Sequence, residues 1–165
     1  MTREIIIENI ITDNPGINYR EIMRRSGFKN GVLSYYLDKL ERAGTIKSLR
    51  SSRQARFFPP QITEDESIII KFLRKTTTKD IIMSLMIQDG QEFTEIVNNV
   101  NKAPSTVSLY LSQLVENQIV LPKISEMKKR YYIQSKMKID RLIEDNKPTE
   151  LEKASSGFED IINSL

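Results

Sequence analysis

Residues 30–44 read NGVLSYYLDKLERAG, and residues 104–116, beginning 74 positions later, read PSTVSLYLSQLVE. In the first stretch Leu33, Leu37 and Leu40 recur at the spacing of one buried helical face, which predicts a helix from about Asn30 to Ala43. Gly44 stands where a helix stops in a left-handed turn. In the second stretch Val107, Leu111 and Leu114 fill the same face. Pro104 takes the first helical position, where a missing N–H costs nothing.

The register extends beyond the helix. At the offset of 74, Glu21-Ile22 matches Glu95-Ile96, Ser34 matches Ser108, Tyr36-Leu37 matches Tyr110-Leu111, Leu40 matches Leu114 and Arg56 matches Arg130. Tyr19 with Phe93, Ile46 with Val120, and Phe57-Phe58 with Tyr131-Tyr132 are similar in kind. Ungapped matching concentrated at apolar positions reads as two copies of one supersecondary unit.

Working outward, each copy predicts the same order of elements. In the first, Arg3 to Thr12 carries an isoleucine-rich helical stripe, and Asn14-Pro15-Gly16 makes a turn. Asn18 with Glu21 resembles a capping box that opens a short helix ending near Ser26-Gly27. After the third helix, Thr45 to Leu49 and Ala55 to Phe58 form a hairpin whose tip is Arg50 to Gln54. In the second copy Thr78 is expected to cap a helix reaching Gln88, Asp89-Gly90 to turn the chain, and Thr94 to cap the short helix. Strands are expected over Ile119 to Ile124 and Arg130 to Ile133. Between the copies, Thr63 and Glu66 form a capping-box pattern ahead of Ser67 to Leu73, which predicts a connecting helix rather than a flexible linker.

Helix–helix–helix–hairpin is the winged helix-turn-helix plan, in which the third helix enters the major groove and the hairpin wing lies on the adjacent backbone. The expected fold is therefore mainly α with small β-hairpin wings: a first domain over residues 1–60, a connecting helix and second domain over 61–135, and a helical tail over 136–165.

The motifs have a family likeness. Asn14-Pro15-Gly16-Ile17, Arg20-Glu21-Ile22 and Gly31-Val32-Leu33-Ser34-Tyr35-Tyr36-Leu37-Asp38-Lys39-Leu40-Glu41, with a wing ending in Arg56-Phe57-Phe58-Pro59, resemble archaeal tandem winged-helix regulators related to the ArsR/MarR superfamily. In the second copy, Ala103-Pro104-Ser105-Thr106-Val107-Ser108-Leu109-Tyr110-Leu111 is similar to a common recognition-helix motif. The likeness covers about residues 1–135 and implies DNA binding, without implying target genes or signal. Two departures matter. Tyr36 and Tyr110 stand where the family has histidine, so no histidine-linked pH or metal response carries over. Ala103 takes the cap position where Ser is usual, which forgoes roughly 1 kcal/mol.

Residue chemistry supports the same partner independently. With Leu33, Leu37 and Leu40 inward, the third helix presents Asn30, Gly31, Val32, Ser34, Tyr35 and Lys39, small or polar side chains suited to base edges and phosphates. The first wing offers Arg50, Arg53 and Arg56, with Arg56 also placed for a structural ion pair. The second copy offers Ser105, Thr106, Ser108 and Leu109 on its helix, and Lys128, Lys129 and Arg130 on its wing. Charge is uneven: residues 1–60 hold 11 Lys/Arg against 6 Asp/Glu, residues 61–135 hold 9 of each, and residues 136–165 hold 5 against 7. A basic first third suits a polyanion.

Other classes are disfavoured. Cysteine and histidine are absent, which removes disulfides, thiolate nucleophiles, Cys/His zinc sites and imidazole chemistry. No glycine-rich phosphate loop occurs. No enzyme activity, cofactor or metal is expected. No apolar run approaches the ~20 residues of a membrane span, and the acid-bearing N-terminus lacks a signal-peptide pattern, so the expected compartment is the cytoplasm. In the tail, Leu151, Ala154, Phe158, Ile161 and Leu165 fall on a heptad seam, from which a homodimer is expected. The functional expectation is a sequence-specific regulator of double-stranded DNA; the alternative is a tandem winged-helix protein-interaction subunit of a chromosome-organising or transcription complex.

Overall fold

The computed structural model describes residues 1–145. Among them the chain is mainly helical, with two small antiparallel sheets. The elements run α1 (Arg3–Asp13), β1 (Ile17–Asn18), α2 (Tyr19–Ser26), α3 (Asn30–Arg42), β2 (Lys47–Arg50), β3 (Ala55–Phe58), α4 (Glu64–Leu73), α5 (Thr76–Ile87), α6 (Phe93–Val100), α7 (Pro104–Glu116), β4 (Val120–Ser125), β5 (Lys128–Ile133) and α8 (Lys136–Asp145). The order three helices then hairpin occurs twice, in α1–α3 with β2–β3 and in α5–α7 with β4–β5.

The offset of 74 recurs in the backbone bonding. Gly16 N–H donates to Phe57 C=O at 2.8 Å and Gly90 N–H to Tyr131 C=O at 3.0 Å; Thr45 donates to Leu40 at 3.1 Å and Ile119 to Leu114 at 3.0 Å. Both short helices end on a left-handed residue, Gly27 (φ 73°) and Asn101 (φ 53°), whose N–H returns to Met23 and Val97. The wings share a register, since Leu49 faces Arg56 in one and Lys123 faces Arg130 in the other.

Two apolar clusters form. Ile7, Ile11, Ile17, Ile22, Leu33, Leu37, Leu40, Ile46 and Phe57 make the first. The second gathers Ile69, Ile70 and Phe72 of α4 with the apolar faces of α5–α7 and the second wing, and it takes Phe58 from β3. Successive strand residues point to opposite faces, so Phe57 and Phe58 root one strand in both clusters. The boundary expected at residue 60 therefore crosses a packed joint. Gly16 lies so close to α4 that an added Cβ would meet Ile70 Cγ2 at 2.8 Å. Arg74 seals the joint by donating from Nε to Pro15 C=O at 3.0 Å and pairing with Glu21 at 3.6 Å.

Local differences from the expected elements have identifiable causes. Asn18 caps α2 by accepting from Glu21 N–H, but the Glu21 carboxylate turns to Arg74, so the expected box is half made. The Thr63–Glu66 box ahead of α4 is complete. Thr78 caps nothing: α5 starts at Thr76, and the buried Thr78 hydroxyl bonds the carbonyls of Phe72 and Lys75 at the α4–α5 corner. Thr94 lies inside α6, whose cap position is Glu92, with no side-chain bond. Ala103 likewise gives α7 no side-chain cap. The second wing turns on Glu126-Met127, both at positive φ, so β4 runs one residue further than expected and β5 begins two residues earlier. At the start of the tail, α8 buries Ile139 and Leu142 and packs on α4, with Arg141 bonded to Glu66 at 3.1 Å. The heptad positions Leu151, Ala154, Phe158, Ile161 and Leu165 lie outside the described residues.

Candidate nucleic-acid interface

The expected contact residues of the first copy separate into an open set and a tied set. Helix α3 buries Leu33, Leu37 and Leu40 and leaves Gly31, Ser34 and Tyr35 exposed, with Val32 half-buried. Tyr35 is 62% exposed and its ring stands edge-on to Tyr36 at 5.1 Å. Nothing lies within 4 Å of a Cβ added at Gly31, so this end of the helix is open to close approach. Arg53, at the tip of the first wing, is exposed and has no ion pair or hydrogen bond among the described residues. The tip is shaped by Ser51, whose N–H bonds Gln54 C=O at 2.9 Å.

Three other expected residues are held by the chain. Asn30 is within reach of the Tyr19 hydroxyl through its carbonyl and side-chain oxygens, at 2.8 and 2.5 Å. Lys39 binds Glu4 of α1, and that hydrogen-bonded carboxylate raises the ammonium above the ordinary lysine range. Arg50 pairs with Glu41 at 3.0 Å, which draws its charge back toward the end of α3.

Arg56 is held by the turn after α1. Its Nη1 donates to Gly16 C=O at 2.8 Å, and burial, then the nearby charge of Arg74, holds the guanidinium below the ordinary arginine range, opposed by Glu21. This half-buried cation fastens the wing to the turn after α1. Arg130 repeats the arrangement, donating to Gly90 C=O at 3.0 Å and lying 3.6 Å from Glu92.

Two cations were missed by the sequence reading. Arg20 on α2 and Lys29 at the cap of α3 are exposed, and the Tyr19–Asn30 contact brings the starts of α2 and α3 together. The available signal was Arg20 and Arg24 at i and i+4, one face of a short helix.

In the second copy Ser105, Ser108 and Leu109 are exposed on α7 and Thr106 is half-buried. The second wing's cations are engaged more than expected. Lys128 lies 3.6 Å from Glu92, Lys129 sits over the Tyr131 ring at 5.6 Å, and Lys123 over Tyr132 at 5.2 Å.

Comparison with known proteins is consistent with this layout. Residues 2–47, which span α1 to α3, match a family model described as winged helix-turn-helix DNA-binding. The chain is 27% identical over 127 residues to an uncharacterized HTH-type transcriptional regulator of Methanocaldococcus jannaschii; the match covers 77% of this chain and 32% of that protein, so the chain spans about a third of its relative's length. A solved structure, the DIP2311 protein of Corynebacterium diphtheriae, aligns with 80% of this chain and 26% of its own at 12% identity and TM-score 0.31, a likeness too slight to carry weight. No helix among the described residues is long and apolar enough to cross a membrane.

Proposed function

We propose that the chain is a sequence-specific, non-enzymatic regulator of transcription, built from two tandem winged-helix domains and working on duplex DNA in the cytoplasm. The observation that carries this reading is a coincidence of place. The segment matching a DNA-binding family model is the segment whose third helix leaves Gly31, Ser34 and Tyr35 open, and the wing that follows carries the unpaired Arg53 at its tip. In this reading α3 enters the major groove, with Ser34 and Tyr35 offered to base edges and Gly31 and Val32 allowing approach. Arg53, Arg20 and Lys29 neutralise phosphates, while Asn30, Lys39 and Arg50 hold the helix and wing in place. The archaeal affinity within the ArsR/MarR superfamily, and action as a dimer on a pseudo-palindromic site, belong to the same reading.

Binding-site selection with the purified chain, followed by titration of the selected site and of random duplex, tests it. Tyr35→Ala is expected to cost about 1–3 kcal/mol on the selected site and little on random duplex. Equal losses on both would make Tyr35 a non-specific contact, and no selected sequence at all would defeat the specificity.

The protein-interaction alternative has one observation in its favour, and it lies in the second copy: Leu109, Ile124 and Met127 are large apolar side chains exposed at 56%, 77% and 99%.

A further inference from the structure

The turn after α1 is a junction of three elements. Gly16 N–H donates to Phe57 C=O at 2.8 Å, and Arg56 of the same wing strand donates back to Gly16 C=O at 2.8 Å. The preceding carbonyl, that of Pro15, accepts from Arg74 Nε at 3.0 Å. Arg74 Nη1 also lies 3.6 Å from the carboxylate of Glu21, in the first turn of α2. Tyr19, which opens α2, donates its hydroxyl to Asn30 C=O at 2.8 Å, where α3 begins. A single side chain at the end of α4 thus ties the turn to α2, and through Tyr19 to the start of α3.

The second copy backs the same turn differently. A Cβ added at Gly90 would meet Tyr132 Cε1 at 2.8 Å, so that turn rests on its own wing. A Cβ added at Gly16 would meet Ile70 Cγ2 at 2.8 Å and Arg74 Cδ at 3.0 Å, so this turn rests on α4. Phe58, the counterpart of Tyr132, packs instead in the second cluster with Ile70 and Phe72, and Leu49 packs against that cluster too. At the positions matching Ile70 and Arg74 the second repeat has Glu144 and Pro148. The first unit therefore gives its wing aromatic to the α4 cluster and has its turn backed by α4 in return. An arginine suits that place, because its planar fork of N–H donors serves a carbonyl and a carboxylate at once. Both Ile70 and Arg74 lie outside residues 2–47, the segment that matches the DNA-binding family model.

We propose that Arg74 is a positioning residue for DNA recognition: from the connecting helix it sets α2, and with it α3, against the wing, without touching DNA itself. The effect on DNA rests on the reading above; the clamp on the turn does not.

Titration of a selected duplex with wild type, Arg74→Met and Arg74→Lys at several salt concentrations, beside amide hydrogen exchange of the same full chains, tests the proposal. Methionine keeps a stem over Gly16 and removes both donor and charge. It should weaken binding about tenfold, the size of effect a residue without ligand contact has on a site coupled to it. The slope of log K against log salt concentration should stay that of the wild type. Lysine keeps the charge but not the fork, and should recover about half of the loss in log K. Exchange should quicken at the Gly16 and Glu21 amides of the methionine variant and stay unchanged along α7, which marks a folded protein with a local change. Undiminished affinity in the methionine variant, or a lysine variant no better than it, overturns the proposal. So does a slope smaller in magnitude by about 0.9, which would make Arg74 a phosphate contact. If the methionine variant does not fold, the lysine variant decides alone, and wild-type affinity in it overturns the proposal. A wild type that binds no duplex removes the DNA reading, and unaltered protection at Gly16 and Glu21 would then remove the clamp as well.

Discussion

The two copies agree in what their backbones do and differ in what their surfaces carry. Turn, helix ends and wing attachment recur at the same offset, down to the bond from Arg56 to Gly16 and from Arg130 to Gly90. Yet from residue 19 to residue 58 the first copy holds Arg20, Arg24, Arg25, Lys29, Lys39, Arg42, Lys47, Arg50, Arg53 and Arg56, and at the matching positions the second holds Thr94, Asn98, Asn99, Ala103, Gln113, Glu116, Leu121, Ile124, Met127 and Arg130. The one cation retained is the half-buried one that serves the fold. At each of the other nine positions the cation is replaced by a neutral or acidic side chain. A shared architecture therefore places the same surface twice, and the side chains give the two surfaces different chemistry.

The buried interior also differs, and the largest effect is expected there. Ile17 and Gln91 occupy equivalent positions, and both are fully buried. Gln91 satisfies its amide through Ser84 C=O at 2.9 Å, Gln88 C=O at 2.7 Å and Asn99 Nδ2 at 2.8 Å. In the first copy Ile10 lacks the hydroxyl that Ser84 offers Gln91 at 3.1 Å, Arg25 stands where Asn99 does, and Ile10 C=O already accepts from the Asn14 side chain, so a glutamine there would be incompletely paired. Ile17→Gln is expected to cost about 3 kcal/mol in urea unfolding, the sum of a lost apolar side chain and an incompletely paired amide. The reverse exchange, Gln91→Ile, should cost about 1–2 kcal/mol, because apolar gain offsets part of the lost bonding. Equal costs would mean that the two interiors are interchangeable and that the polar network does not depend on its partners.

A smaller effect concerns the start of the third helices. Neither Lys29 nor Ala103 caps its helix with a side chain. Ala103→Ser should stabilise the protein by about 1 kcal/mol in thermal or urea unfolding without changing duplex affinity. Lys29→Ser should give a comparable gain in stability together with weaker duplex binding, since a cation beside the reading helix is lost. If Ala103→Ser weakened binding instead, the start of α7 would lie against DNA and the contrast between the copies would fail.

Periodic apolar spacing made the helices legible, and the repeat made the hairpins legible, since each copy supported the other. The Thr63–Glu66 box was legible because both of its halves are local. What escaped depends on distant partners. β1 has two residues, too few for any alternation to register. Thr78 and Thr94 have the chemistry of caps, but the α4–α5 corner and the cap position at Glu92 set where those helices begin. Arg56 looked like a wing cation because its acceptor, Gly16 C=O, lies 40 residues away and faces it only after the wing has folded back. Lys39 and Glu4, 35 residues apart, were hidden for the same reason. Of the first copy's expected contact set, Gly31, Ser34, Tyr35 and Arg53 emerge open, and these four needed nothing beyond a helical face and a hairpin tip to be found.

The contrast between the wings is tested most directly by the salt dependence of duplex binding. Each phosphate neutralised contributes about −0.9 to the slope of log K against log salt concentration. Titrations of wild type, Arg53→Met and Lys129→Met on one duplex at several salt concentrations separate the wings. Arg53→Met should weaken binding to any sequence and reduce the magnitude of the slope by about 0.9, while Lys129→Met leaves the slope unchanged. A slope that falls with Lys129→Met and not with Arg53→Met would put DNA on the second wing and contradict the assignment.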